Sequence, residues 1–156
     1  RSMPVLNPTS TPHPVTKWKQ AAIAPMNGAV AGTSTFELPS NERGQRRILW
    51  ARGRWQVNIA NPGGRVIWRI FVPNGGSVEW AMSTHTLLPN TQGFFFWQRS
   101  GPTVVPGAGL TMQASIPPMD LPPGTKITWE YENGTAPDTM TQPVVAYQDE
   151  DVPFAS

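Results

Sequence analysis

The sequence contains no cysteine. That excludes disulfides, thiolate metal sites and cysteine nucleophiles. Charge is sparse as well: Asp, Glu, Lys and Arg make up 14% of the chain, against about 25% in an ordinary globular protein. No uninterrupted apolar run reaches the roughly 18 residues needed for a membrane-spanning helix, so no membrane partner is expected. No segment keeps a helical period over three turns. With two histidines and no cysteine, the usual zinc ligand sets are out of reach. There is no Gly-x-Ser-x-Gly elbow, and no glycine-rich loop opens a helix. No catalytic role, metal or cofactor is therefore expected.

Proline and tryptophan are abundant instead: 18 Pro and 7 Trp in 156 residues. Pro4, Pro8, Pro12, Pro14 and Pro25 break every helix that could start near the beginning of the chain. Residues 1–30 read as an extended arm, with Trp18, Ile23 and Met26 as anchors for its own domain or for a neighbour. Arg1-Ser2 ahead of Met3 reads as a cloning remnant. No apolar segment resembles a secretion signal, so export by the usual route is not expected. Seven Trp and six Phe need a packed interior, which argues against disorder.

Residues 31–156 read as strands and turns. Arg54–Ala60 places Trp55, Val57 and Ile59 on one side, and Arg65–Val72 alternates in the same way. With Asn61-Pro62-Gly63-Gly64 between them, the two are expected to form a hairpin. Pro73-Asn74-Gly75-Gly76 reads as a second turn. Thr125–Glu132 points Ile127, Trp129 and Tyr131 inward and Glu130 and Glu132 outward. Pro143 marks an edge or bulge within Met140–Gln148. About eight short strands separated by Gly, Pro and Asn predict an all-β antiparallel sandwich of jelly-roll type.

Charge is divided along the chain. Residues 1–69 carry a net +8 and residues 70–156 a net −6. Arg46, Arg47, Arg52, Arg54, Arg65 and Arg69 dominate the first half, and Asp149, Glu150 and Asp151 end the second. Two readings stay open. The halves neutralise each other within one chain, or the basic half of one subunit meets the acidic half of the next, for example at Glu130, Glu132 and the 149–151 run. A nucleic-acid partner is disfavoured, because the acidic half would repel phosphate. Glu130 and Glu132 would lie about 7 Å apart on one strand face, the separation of an inverting glycosidase pair. Such pairs flank their substrate from opposite sides, so these two read as solvated.

The run Phe94, Phe95, Phe96, Trp97 implies either two covered faces or one face that meets a partner. Trp50, Trp55, Trp68, Trp80 and Trp129 keep phase with aliphatic neighbours and read as core. Trp97 reads as the exposed aromatic. The expected contact set is thus Trp18, the six arginines, Phe94 to Trp97, and the acidic positions named above.

The order of features from Trp55 onward resembles the small β-sandwich structural proteins of viral particles, especially those of tailed bacteriophages. The resemblance is carried by Trp55–Ala60 with the Asn-Pro-Gly-Gly turn, by Arg65–Pro73, and by Gly107-Ala108-Gly109-Leu110-Thr111. It continues in Met119-Asp120-Leu121-Pro122-Pro123-Gly124 ahead of the strand Thr125–Tyr131, and in the acidic close. It implies a non-enzymatic virion component, a head decoration, fibre base or tail-associated subunit, assembled in the host cytoplasm. Its partners would be copies of itself, as a trimer or larger homo-oligomer, and other virion proteins. The alternative is a carbohydrate- or receptor-binding module, with a glycan or a host receptor as partner.

Overall fold

The computed structural model describes residues 17–28, 34–83, 86–99, 111–135 and 137–152. Among them there is no helix, and the strands form two sheets. In chain order the strands are β1 (Lys17–Trp18), β2 (Ala22–Pro25), β3 (Asn27–Gly28), β4 (Thr35–Leu38), β5 (Arg46–Gln56) and β6 (Val66–Val72). They continue as β7 (Gly76–Met82), β8 (Gln92–Arg99), β9 (Thr111–Ile116), β10 (Lys126–Tyr131), β11 (Thr139–Met140) and β12 (Val144–Asp151). The break between β11 and β12 contains Pro143, which has no N–H to give a ladder.

The larger sheet runs β1-β12-β5-β8-β9, with β2 also on β12 and β11 also on β5. The smaller runs β3-β4-β10-β6-β7. Four antiparallel pairs nest in the chain: β2 with β12, β4 with β10, β5 with β8, and β6 with β7. Successive pairs fall in alternate sheets. The β8–β9 pairing is parallel.

Aromatic rings hold the sheets together. Trp55 of the larger sheet meets Tyr131 of the smaller at 5.4 Å, and Trp97 meets Trp68 at 6.0 Å. Trp68 and Trp129, cross-strand neighbours in the smaller sheet, lie 5.1 Å apart. All five are fully buried. Gly53 makes room for this cluster: a Cβ there would fall 2.6 Å from the Tyr131 hydroxyl and 2.8 Å from the Trp129 ring.

Two expectations are corrected. The hairpin between Arg54–Ala60 and Arg65–Val72 does not form: β5 and β6 lie in different sheets. The chain turns at Asn58–Asn61 and crosses over, and Ile59 is 74% exposed rather than inward. The carboxylate of Asp138 fixes this corner. It accepts from the Asn58 N–H at 2.6 Å, Asn61 Nδ2 at 2.5 Å, the Thr135 N–H at 3.0 Å and Trp55 Nε1 at 3.2 Å. The hairpin that does form joins β6 to β7 through Pro73–Gly75, with Asn74 at φ 61° and Gly76 at φ 75°, a region Asn and Gly tolerate.

The second correction concerns the arm. Residues 17–28 supply β1, β2 and β3, which pair with β12 and β4. Met26 is fully buried, and Trp18 lies under Arg47, whose guanidinium carbon is 3.6 Å from the indole centroid. Trp18 and Met26 hold the chain to its own domain, whereas Ile23, expected to do the same, is 66% exposed. The remainder of the expected arm, residues 1–16, lies outside the described residues.

Candidate binding surface on the larger sheet

Four of the six expected contact arginines are paired inside the chain. Buried Arg46 donates through Nε to Asp149 at 2.6 Å and through Nη1 to the Pro39 carbonyl, and lies over the Tyr147 ring. Arg47 pairs with Asp120 at 3.1 Å and Arg65 with Glu132 at 3.5 Å. Arg69 bridges Glu130 at 2.9 Å and Glu79 at 3.4 Å. The hydrogen bond that Arg69 donates to Glu130, reinforced by the carboxylate's charge, holds the guanidinium above its usual pKa. Glu150 accepts the Gln45 N–H at 2.9 Å, and exposed Asp151 stands opposite Lys17 in the register. At Arg46, Arg47, Arg65 and Arg69 the charge division closes within one molecule. Glu130 and Glu132 face arginines rather than a cleft, and among the described residues no three His, Asp or Glu cluster as metal ligands. His13 and His85 lie outside the described residues.

Arg52 and Arg54 differ: no carboxylate among the described residues lies within ion-pair distance of either. Both stand on the outer face of β5, and the reason is local. A bulge where β12 meets β5 matches Ala146 to Trp50 but Tyr147 to Ile48, so Leu49 is an extra residue. Ile48 points inward before the bulge, and Ala51, Gly53 and Trp55 point inward after it. Trp50, Arg52 and Arg54 therefore turn outward. Trp50, expected in the core, is only half-buried.

In β8 the aromatic run divides between faces. Phe95 and Trp97 are each 1% exposed and lie in the core, which corrects the expectation that Trp97 is the exposed ring and removes both from any contact surface of the folded chain. Phe94 and Phe96 point outward, and Phe94 is 40% exposed. The register sets Phe96 opposite Arg52 and Phe94 opposite Arg54. Trp50 and Phe96 stack at 6.1 Å with 24° between ring planes. The Arg52 guanidinium lies 5.9 Å from the Trp50 centroid and that of Arg54 lies 5.6 Å from Phe94. Arg54 Nη2 donates to Gln92 Oε1 at 2.7 Å, and its Nε is buried with no acceptor among the described residues. Arg52, Arg54, Phe94, Phe96, Gln142 and Val144 rim a depression of about 470 Å³.

The outer face of the smaller sheet provides the contrast. There Arg69 pairs with Glu130 and Glu79, and Lys126 pairs with Glu37 at 3.5 Å. The charges of that face are neutralised, although Phe71 also lies on it, under Lys126 at 4.8 Å. The part of the larger sheet around Arg52 and Arg54 is aromatic and cationic, and no described carboxylate pairs with either arginine. Its signal was present in the sequence as Trp50, Arg52, Arg54 at strand spacing, hidden by the expectation that Trp50 belongs to the core. Asp138, which organises the crossover, has no sequence signature.

Comparison with protein families, with curated proteins and with solved structures finds no match to this chain.

Proposed function

We propose that the domain is a jelly roll serving as a non-enzymatic structural subunit of a virus particle, of the decoration, fibre or tail-associated kind. Number the eight principal strands β2, β4, β5, β6, β7, β8, β10 and β12 from one to eight. One sheet then contains the order 1-8-3-6 and the other 2-7-4-5. That is the order obtained by rolling one long antiparallel ladder so that successive rungs alternate between sheets, and jelly rolls of this kind recur in capsid and lectin domains. The proposed partners are further copies of the chain, in a trimer or larger, and other virion proteins.

The observation that carries a binding rather than a catalytic role is the unneutralised aromatic–arginine face of the larger sheet. Outer sandwich faces are ordinarily polar, and apolar patches rimmed by polar groups mark contact sites. The stacked Trp50–Phe96 pair also favours the second reading, a carbohydrate- or receptor-binding module. The two are compatible, since a subunit on a particle surface can do both. The test is the molar mass of the purified chain by light scattering across concentration and salt. A trimer or larger species is expected. A monomer throughout, which also fails to join co-expressed particle proteins, overturns the assembly reading.

A further inference from the structure

We propose that the depression on the larger sheet is a site for an acidic saccharide. Arg52 and Arg54 take the sugar carboxylate, and the apolar face of the ring lies on Phe94 and Phe96. The proposal rests on the carbohydrate-binding reading and names the ligand class for that site.

Charge makes the first argument. Arg46, Arg47, Arg65 and Arg69 each have a carboxylate partner, and Arg52 and Arg54 have none among the described residues. Arginine presents a planar fork of donors that matches a carboxylate in two-point contact. A face-to-face second copy would bring four such guanidiniums together, so a symmetric self-contact is opposed.

Shape makes the second. The volume, about 470 Å³, falls within the ordinary range for small-ligand clefts. β5 and β8 are interior strands whose backbone groups are engaged on both sides, so an extended peptide gains no main-chain pairing here. Recognition must come from side chains, which suits a ring-shaped ligand.

Chemistry makes the third. The aromatic rings offer flat apolar platforms. Gln142 at the rim, with Gln92 and Gln98 on the same face as Phe94 and Phe96, supplies amides that can both donate to and accept from hydroxyls. A single-stranded nucleic acid would need cations spaced along a groove, and here neutral Gln56, Gln92 and Gln98 bracket the two arginines.

Calorimetric titration of the full chain with sialyllactose and trigalacturonate, with lactose as the neutral control, tests this. Both acidic probes should bind, lactose should bind at least tenfold more weakly, and affinity for the acids should fall as salt is raised. R52A/R54A should lose the acidic probes at least tenfold, F94A/F96A should lose them as well, and K126A on the opposite sheet should match the wild type. An unchanged far-UV circular dichroism spectrum and a cooperative thermal transition verify each fold; if R52A/R54A does not fold, the single variant R52Q at an exposed position carries the test. Equal binding of lactose and the acids, lost in F94A/F96A, overturns the acidic preference and leaves the carbohydrate-binding reading intact. No binding of any of a broad saccharide panel overturns both. Tighter binding of an oligothymidylate than of either acidic sugar overturns the proposal in favour of nucleic acid.

Discussion

Asp138 is one carboxylate with four donors around it, buried at the corner where the chain leaves one sheet for the other. Replacing it with alanine strands those donors. The expected cost in Asp138→Ala is about 3 kcal/mol of unfolding free energy, measured by urea denaturation; a loss under about 1 kcal/mol would show that water replaces the carboxylate freely. Gly53→Ala forces a methyl group against Tyr131 and Trp129, and should cost about 1–3 kcal/mol in the same assay. Tyr131 itself makes stability depend on pH. Burial pushes its phenol above the ordinary value of 10.0 in the folded chain, where its hydroxyl donates to the Thr141 carbonyl. The unfolded chain therefore releases this proton first, so the group's contribution is complete below pH 10.0 and declines as pH rises beyond it. Tyr131→Phe should flatten that alkaline decline by about 1.4 kcal/mol per pH unit, and an identical slope in wild type and variant would exclude Tyr131 as its source.

At the level of strands, β1 and β2 protect β12. Without them β12 becomes an open edge, and open edges invite pairing between molecules. A chain lacking residues 1–25 should melt earlier and associate with rising concentration; an unchanged melting midpoint would mean that these strands only decorate the sheet. The same level shows what could be read from sequence. Alternation correctly gave the inward set Ile127, Trp129 and Tyr131 of β10, and the turn at Pro73–Gly76, because both depend on neighbours in the chain. It failed where pairing is long-range. Asn61-Pro62-Gly63-Gly64 has hairpin chemistry, yet it joins two sheets, since period two assigns a face and not a partner. The bulge at Leu49 reversed the side for Trp50, and a bulge is set by β12, about a hundred residues away. The candidate surface was therefore half legible. Arg52, Arg54, Phe94 and Phe96 were named from the sequence, but in company with Phe95 and Trp97, which the fold buries.

The whole molecule presents two unlike outer faces. The smaller sheet answers each of its charges with an opposite one, while the larger sheet leaves rings and guanidiniums open. Substituting Phe94, already partly in water, should therefore affect contacts far more than stability. Phe94→Ser is expected to shift unfolding free energy by less than about 1 kcal/mol while weakening whatever docks on that face; a large drop in stability would instead make Phe94 part of the fold. The register Lys17↔Asp151 carries a mechanical corollary. Traction between those two residues would load the β1–β12 hydrogen bonds one after another, as in unzipping, rather than all at once in shear. A subunit tethered at both of those positions would peel open from β12 under modest force.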